Sequence, residues 1–157
     1  MPKRLLILGL GNDLLTDDAV GLLIARQLKR RLKDLPDLEV TETTEMGLAL
    51  LDLMTGYRGV VIIDSIKTGK TPPGVLHELD PAEFAALVGA TPHFLGVGET
   101  LALGRQLGLA MPEQVRVFGI EVADPFTLST SLTPELSDAL PGLVERIEQS
   151  IRKMSAA

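Results

Sequence analysis

Runs of strand-like residues, spaced along the chain, constrain the possible fold most strongly. RLLILGL (4–10) and GVVIIDS (59–65) are continuous apolar runs, as expected of strands covered on both faces of a sheet. LEVTET (38–43) alternates with a period of two, and QVRVFGIEV (114–122) is a fourth core strand by the same reasoning. VLHEL (75–79) is short and alternating, which predicts an edge strand.

The segments between these strands have helical spacing. From Asp17 to about Lys33, apolar side chains recur four residues apart and form one stripe, which predicts a helix. A short helix is predicted at 47–57 and another at 80–88. The second has Asp80 as its N-cap and Pro81 at its first helical position.

Two further helical segments flank the fourth core strand. Residues 90–109 predict a loop leading into a helix, and 131–154 predict a long helix in which Pro141 is expected to cause a kink or break. Strands that alternate with helices imply βαβ units with right-handed crossovers. We therefore expect one α/β domain, residues 1–157. It is a three-layer αβα sandwich whose mostly parallel, twisted sheet has about five strands and one antiparallel edge strand.

The composition excludes several classes of function. With 21 acidic and 15 basic residues the formal net charge is −6, and the one basic cluster, Arg26 to Lys33, has helical spacing. We therefore expect no nucleic-acid binding. Cysteine is absent, which excludes disulfides, thiolate zinc sites, iron–sulfur clusters and a cysteine nucleophile. No apolar run approaches the roughly 20 residues needed to cross a bilayer. We expect no membrane association and a cytoplasmic protein.

The carboxyl ends of the predicted parallel strands give the candidate site, because ligands of open α/β sheets bind outside those ends. The residues at these ends are mostly acidic, and the pattern places no cation among them to meet a phosphate. They are Gly9, Gly11, Asn12, Asp17, Asp18, Glu42, Glu45, Asp64, Glu121 and Asp124. His93 lies on a predicted loop at the same end of the sheet.

The loop GLGNDL (9–14) matches a dinucleotide fingerprint only in part. Leu14 stands where that fingerprint needs its third glycine, and the lysine and Ser/Thr of a P-loop are missing. The carboxylates of Asp17 and Asp18 would also repel a pyrophosphate, by roughly 1 kcal/mol or more for each close pair near a surface. We expect no nucleotide, and a Rossmann-like nucleotide-binding domain is the least favoured alternative.

Each acidic candidate also has an ordinary structural explanation. Asp17 and Asp18 open a helix, where carboxylates cap free N–H groups, and we expect this to be the main role of Asp17. A strand-end aspartate such as Asp64 often only starts a turn, and a lone loop histidine such as His93 is commonly a cap or a surface residue. Asn12 is expected to support its loop.

Together, Asp18, Asp64 and His93 supply two carboxylates and one imidazole. This set suits a borderline divalent metal such as nickel or zinc with open coordination positions. It is equally the inventory for general acid–base catalysis. The three residues are far apart in the sequence, so their spacing leaves convergence and both chemistries open.

Four motifs, in order, resemble the nickel–iron hydrogenase maturation endopeptidases. LGLGNDLLTDDAVG (8–21) has that family's Gly-x-Gly-Asn loop, followed by leucine and a pair of acidic residues. VIIDSIKTGKTPPGVL (61–76) has its strand ending in aspartate, then a glycine and a Pro-Gly turn. TPHFLGVGETLAL (91–103) has its histidine before a helix, and 117–141 extends the likeness to nearly the full chain.

This resemblance implies an endopeptidase that removes a C-terminal extension from the precursor of the hydrogenase large subunit after nickel insertion. Its metal-binding residues match Asp18, Asp64 and His93. We expect the partner to be the nickel-loaded precursor, with nickel arriving with this substrate, and a monomer that meets one large subunit is the simplest case. A metal-bound water, a metal-polarised carbonyl or a carboxylate base could drive cleavage. A non-catalytic module that senses nickel in the precursor is the other alternative.

One segment departs from the family pattern. Where many members have Asp-Gly-Gly-Thr-x-Gly after the second strand, this chain has ETTEMG (42–47), with Glu42 at the acidic position and Gly47 at the end. Glu42 and Glu45 are most simply solvent-facing, but Glu45 replaces the usual threonine and is a candidate specificity feature. We expect Gly9, Gly11, Asn12, Asp17, Glu42, Glu45 and Gly47 to contact substrate or support the loops.

Overall fold

A five-stranded sheet between two layers of helices forms the core of the protein. The computed structural model describes residues 5–45, 47–88 and 97–156. The strands are β1 (Leu5–Leu10), β2 (Leu38–Thr43), β3 (Gly59–Ile66), β4 (Leu76–Leu79) and β5 (Gln114–Glu121). The helices are α1 (Val20–Arg31), α2 (Ala49–Met54), α3 (Pro81–Val88), α4 (Val97–Gln106) and α5 (Pro134–Ala156), and a single 3-10 turn (Thr16–Ala19) precedes α1.

The strand order is β2-β1-β3-β5-β4. The first four strands in this order are parallel, and β4 pairs antiparallel with β5 at one edge. Each parallel crossover needs a helix to return the chain across the sheet, which is why strands and helices alternate in the sequence. The predicted mixed sheet, with its short antiparallel edge strand, is confirmed.

Side chains from alternate positions of the central strands fill two separate apolar layers. Ile7 and Ile63 point toward α1 and α5, where they pack with Ile24 and Ile147. Leu8 and Ile62 point the other way, against α2, α3 and α4. Because both faces of β1 and β3 are covered, their sequences are continuously apolar rather than alternating. The three-layer αβα prediction is confirmed.

Two helices differ in detail from the prediction. The α1 helix begins at Val20 rather than Asp17, because Thr16–Ala19 forms a 3-10 turn in which the Asp18 N–H donates to the Leu15 carbonyl at 2.9 Å. The α5 helix runs continuously across Pro141, so the predicted break there is wrong. Pro141 is on the exposed side of α5, where its ring does not disturb the packing of the helix on the sheet.

The start of α3 is as predicted. The Asp80 carboxylate accepts the Glu83 N–H at 2.7 Å, and the Glu83 carboxylate accepts the Asp80 N–H at 3.1 Å, so the two residues form a capping box. Across the described ranges, no helix combines the length and the apolar character needed for a membrane span.

Candidate active site

The glycines of the β1–α1 loop allow α1 to lie directly on the sheet. A Cβ atom added to Gly9 would sit 2.6 Å from the Gly21 carbonyl oxygen and 2.6 Å from the Ala25 Cβ. One added to Gly21 would sit 2.4 Å from the Leu10 carbonyl oxygen and 2.5 Å from that of Ile63. These glycines therefore serve close packing between helix and strand, which is a sufficient reason for a Gly-x-Gly sequence without a bound phosphate.

Gly11 and Asn12 fix the turn that follows β1. Gly11 has a φ of 154°, and a Cβ there would lie 2.1 Å from the Asp18 carbonyl oxygen. That carbonyl accepts the Asn12 N–H at 3.3 Å, and the Asn12 side-chain oxygen accepts the Leu14 N–H at 3.0 Å. The expected supporting role of Asn12 agrees with these contacts.

Asp17 is completely buried and holds a distant loop. Its Oδ2 accepts the N–H groups of Ala123 and Asp124 at 3.0 and 2.9 Å, and its Oδ1 accepts the Thr133 N–H at 2.8 Å. The Thr133 hydroxyl donates to the same carboxylate. The interpretation of Asp17 as a cap of its own helix is wrong, because no side chain caps the 3-10 turn or α1 and this carboxylate binds the chain just before α5.

Thr16 also joins the turn after β1 to the chain between β5 and α5, through its backbone N–H and its hydroxyl. Its N–H donates to the Ser129 carbonyl at 3.0 Å, its hydroxyl donates to the Thr127 carbonyl, and the Ser129 N–H returns a bond to the Leu14 carbonyl at 3.0 Å. Thr16 has a φ of 45°, an unfavourable conformation for a β-branched residue that costs on the order of 1–3 kcal/mol. The segment ending in Asp18 is therefore held in a strained shape by its contacts.

Asp18 and Asp64, the acidic pair, meet at the carboxyl edge of the sheet, the end at which the parallel strands terminate. Ser65 connects them: its hydroxyl donates to Asp18 Oδ1 at 2.7 Å, and its N–H donates to Asp64 Oδ1 at 2.8 Å. Asp18 comes from the 3-10 turn and Asp64 from the end of β3. The structure thus brings together two of the three predicted metal ligands.

The acidic pair has the electrostatic character of a cation site. Burial raises the pKa of Asp64 well above the ordinary aspartate value, the negative charge of Asp18 raises it further, and the Ser65 N–H opposes both effects. Two nearby carboxylates, one of them buried, are stabilised when a cation neutralises their repulsion. Carboxylate oxygens can bind a divalent metal.

His93 lies outside the described residues, so its predicted place beside the acidic pair stays a prediction. It belongs to the stretch 89–96, which joins α3 to α4 in the sequence. The Asp64 side chain lies on the same face of β3 as those of Ile62 and Ile66, which pack in the layer of α2, α3 and α4. The stretch 89–96 connects two helices of that layer in the sequence. Within 5–45, 47–88 and 97–156 there is no group of three histidine or acidic residues suited to a metal.

The described residues of the ETTEMG segment, 42–45 and 47, form a separate part of the carboxyl edge. Glu42 is exposed, as expected, but both of its carboxylate oxygens bind the Arg26 guanidinium at 2.8–3.0 Å, and Asp13 binds the same guanidinium at 3.2 Å. Glu45 lines a surface cavity of about 320 Å³ beside this ion pair. Gly47 has a φ of 65°, which favours glycine, and no atom lies near its missing Cβ.

Three residues at this edge have clear roles that the sequence did not predict. Ser65 could have been suspected, since it is a hydroxyl residue next to the strand-end aspartate. The Lys67 ammonium donates to the Ala123 carbonyl at 2.7 Å, so this cation serves a contact within the fold. Glu121, noted only as a strand end, is buried at the end of β5.

Glu121 organises the connection between β3 and β4. Its carboxylate accepts the Thr68 N–H at 2.9 Å, the Thr68 hydroxyl, the Gly69 N–H at 3.4 Å and the Thr71 hydroxyl at 3.0 Å. Burial raises the pKa of Glu121, but the bonds from Thr68, Thr71 and Gly69 lower it more, so the net shift is downward. The Thr71 hydroxyl also contacts His77 Nε2 at 3.1 Å, which explains His77 without a metal or catalytic role.

Comparison with known proteins identifies the family. The hydrogenase maturation protease family model matches residues 22–150. The chain is 31% identical to the hydrogenase 2 maturation protease of Escherichia coli (strain K12) over 153 residues, which cover 96% of this chain and 92% of that protein.

Solved structures agree. The hydrogenase maturating endopeptidase HybD from E. coli superimposes with a TM-score of 0.80 at 27% identity, covering 96% of this chain and 93% of that one. The [NiFe] hydrogenase maturation protease HybD from Thermococcus kodakarensis gives a TM-score of 0.68 at 28% identity, covering 93% and 97%. The chain therefore belongs to the hydrogenase maturation protease family and is a peptidase.

Proposed function

We propose that this peptidase removes the C-terminal extension of a nickel–iron hydrogenase large-subunit precursor after nickel has been inserted, and that cleavage occurs at the acidic pair. The observation that carries the proposal is the convergence of Asp18 and Asp64 on Ser65 at the carboxyl edge of the sheet. In a chain of this family, two converging carboxylates give the precursor's metal a place to bind. We propose His93 as the third ligand.

The nickel belongs to the substrate, and the enzyme completes its coordination. Asp18, Asp64 and His93 dock the metal-bearing part of the precursor and so place the scissile peptide at the carboxyl edge. A metal held there would polarise the scissile carbonyl or lower the pKa of a bound water. Asp64 is also suited to act as a general base, because burial and the charge of Asp18 raise its pKa above the ordinary aspartate value.

Exposed apolar side chains on the same segments support a protein substrate. Leu14, Phe126 and Leu128, the apolar patch, are 57%, 71% and 79% exposed. Leu14 lies four residues before Asp18, and its carbonyl binds the Ser129 N–H, next to Leu128. A macromolecule that reaches the acidic pair can therefore bury the patch, whereas a small ligand would have no use for it. We propose that the precursor covers it.

Incubation of the protein with nickel-loaded and nickel-free precursor tests the proposal. We expect cleavage of the loaded form only, detected as the mass of the released C-terminal peptide. Cleavage of neither form would refute the protease activity, and binding without cleavage would instead indicate a nickel-sensing module. Cleavage of both forms would refute nickel dependence. A monomer meeting one precursor in the cytoplasm completes the proposal, and size-exclusion chromatography with light scattering measures its mass.

Three substitutions test the residues. Asp18→Asn, Asp64→Asn and His93→Ala should each abolish processing of the loaded precursor, a loss of at least about 100-fold in rate, since each removes a ligand from the metal. Circular dichroism should show that each variant is folded. A variant that retains full activity would remove its residue from the site.

A further inference from the structure

We infer that Ser65 is a positioning residue for nickel: its hydroxyl orients the Asp18 carboxylate toward the metal position that the Asp64 carboxylate also faces. This inference rests on the proposed function, because it names a determinant of the same site. Ser65 contacts both carboxylates, by its hydroxyl at 2.7 Å and its N–H at 2.8 Å.

The position of Ser65 at the end of β3 explains how one residue reaches both. Val61 and Ile63 pack toward α1 and α5, so by strand alternation the Ser65 side chain is directed to that side, where the 3-10 turn presents Asp18. Asp64 is directed to the other side, and its carboxylate folds back to accept the N–H of the next residue. Ser65 therefore links two carboxylates that arrive from opposite faces of the sheet.

The hydroxyl matters because the charges of the acidic pair oppose the approach of Asp18 to Asp64. The two carboxylates repel each other, and Asp18 is only half-buried, so its side chain has solvent-facing rotamers available. A hydrogen bond from a side chain that is itself fixed by β3 restricts Asp18 to one orientation. Hydrogen bonds of this kind to metal-binding carboxylates commonly change metal affinity by about 10–100-fold.

The backbone bond and the hydroxyl bond can be separated by mutation. Ser65→Ala removes the hydroxyl bond to Asp18 but keeps the N–H that binds Asp64. Ser65→Thr keeps a hydroxyl at the same atom and should restore the wild-type values. Ser155→Ala is the matched control. Ser155 is also half-buried, but it lines a cavity with Leu5 and Gly59 at the opposite, amino-terminal edge of the sheet.

Two measurements on the full chain test the inference. The first is the affinity for Ni²⁺ alone, from competition with a coloured chelator. The second is the split between KM and kcat for the nickel-loaded precursor. Ser65→Ala should bind Ni²⁺ about ten-fold more weakly and raise KM about ten-fold, with a smaller change in kcat. Ser65→Thr and Ser155→Ala should match the wild type.

The outcomes separate the inference from the proposed function. If the wild type cleaves the precursor and Ser65→Ala equals it in Ni²⁺ affinity or in KM, the positioning role is refuted and the proposed function stands. If the wild type cleaves no precursor, the proposed function fails, and the Ni²⁺ competition alone decides the role of Ser65. A wild type that neither binds Ni²⁺ nor cleaves refutes both.

Discussion

At the scale of single residues, two adjacent aspartates have different tasks. Asp17 is buried and accepts hydrogen bonds from Ala123, Asp124 and Thr133, so its charge is compensated within the fold. Asp18 is half-buried and accepts one bond from Ser65 beside another carboxylate. Compensation by N–H donors is typical of a structural carboxylate, whereas two neighbouring carboxylates, one of them buried, are typical of a site that binds a cation.

The Asp17→Asn variant should therefore be less stable than Asp18→Asn. An amide in place of Asp17 loses the charge and points an NH₂ group at backbone N–H donors, which should lower the free energy of unfolding by about 2 kcal/mol. Urea denaturation of the two variants measures the difference. Asp18→Asn serves as the control, and equal stabilities would mean that the Asp17 network contributes little. Folded Asp17→Asn should still process the precursor, since Asp17 is not in the acidic pair.

Glu121 provides a prediction about pH. Its folded pKa is lowered from the ordinary glutamate value of 4.5, so its contribution to stability is present above that value and is lost as the pH falls through the folded pKa. Glu121→Gln should lower the free energy of unfolding by about 2 kcal/mol at neutral pH. This difference from the wild type should shrink below about pH 4.5, as thermal unfolding at several pH values would show. A difference that grew on acidification would contradict the sign.

The sequence locates the acidic pair but not its surroundings. Asp18 and Asp64 come after β1 and near the end of β3 in a parallel sheet, which predicts both at the carboxyl edge but leaves their convergence open. The partners of Asp17 lie 106 to 116 residues further along the chain, so no local pattern could distinguish a buried anchor from a helix cap. The role of Ser65 could not be predicted either, since only the fold shows that its hydroxyl reaches Asp18, 47 residues away. The place of His93 remains a prediction.

At the scale of elements, the contact of α1 with β1 and β3 determines the position of Asp18. Gly21 in α1 lies against the carbonyl oxygens of Leu10 and Ile63, and Gly9 lies against α1 in return. The acidic pair requires this close approach, because Asp18 is in the turn that leads directly into α1 while Asp64 is near the end of β3.

Gly21→Ala should consequently destabilise the protein. The added methyl group would lie 2.4–2.5 Å from two backbone carbonyl oxygens, which cannot move away cheaply, so we expect a loss of about 2 kcal/mol or more. Gly142→Ala in α5 is the matched control, because Gly142 is exposed and has no atom within 4 Å of the added position. There alanine should stabilise the helix by up to about 1 kcal/mol. Chemical denaturation distinguishes the two, and equal effects would contradict the packing argument.

Elements whose sequence pattern lies within the element itself are predicted well. The bounds of β2 are those of its alternating run, and the capping box at Asp80 and Glu83 marks the start of α3. The start of α1 was misplaced because long-range contacts hold Thr16 at a positive φ, which neither helical spacing nor propensity encodes. Pro141 does not break α5, because the packing of this helix on the sheet keeps it continuous.

At the scale of the whole molecule, the two edges of the sheet differ in character. The carboxyl edge carries the acidic pair, and the apolar patch lies on segments joined to it. At the amino edge, α4 returns the chain toward the start of β5 at Gln114, and the Glu113 N–H binds the Arg58 carbonyl. Leu107, in this return, is 62% exposed, so the amino edge also has an apolar side chain in solvent. Exposure alone therefore does not identify a docking surface, and position relative to the acidic pair must decide.

Substitution of similarly exposed apolar residues by aspartate, at the two edges of the sheet, tests whether position relative to the acidic pair decides. Phe126→Asp and Leu128→Asp should each raise KM for the nickel-loaded precursor by about ten-fold, equivalent to about 1.4 kcal/mol of lost binding, because each places a charge where the precursor buries apolar surface. Affinity for Ni²⁺ alone should not change, since neither side chain contacts the acidic pair. Leu107→Asp is the control with similar exposure at the other edge, and its KM should equal that of the wild type. If all three variants raised KM equally, a general loss of apolar surface would explain the effect, and the precursor would have to dock elsewhere than on the apolar patch.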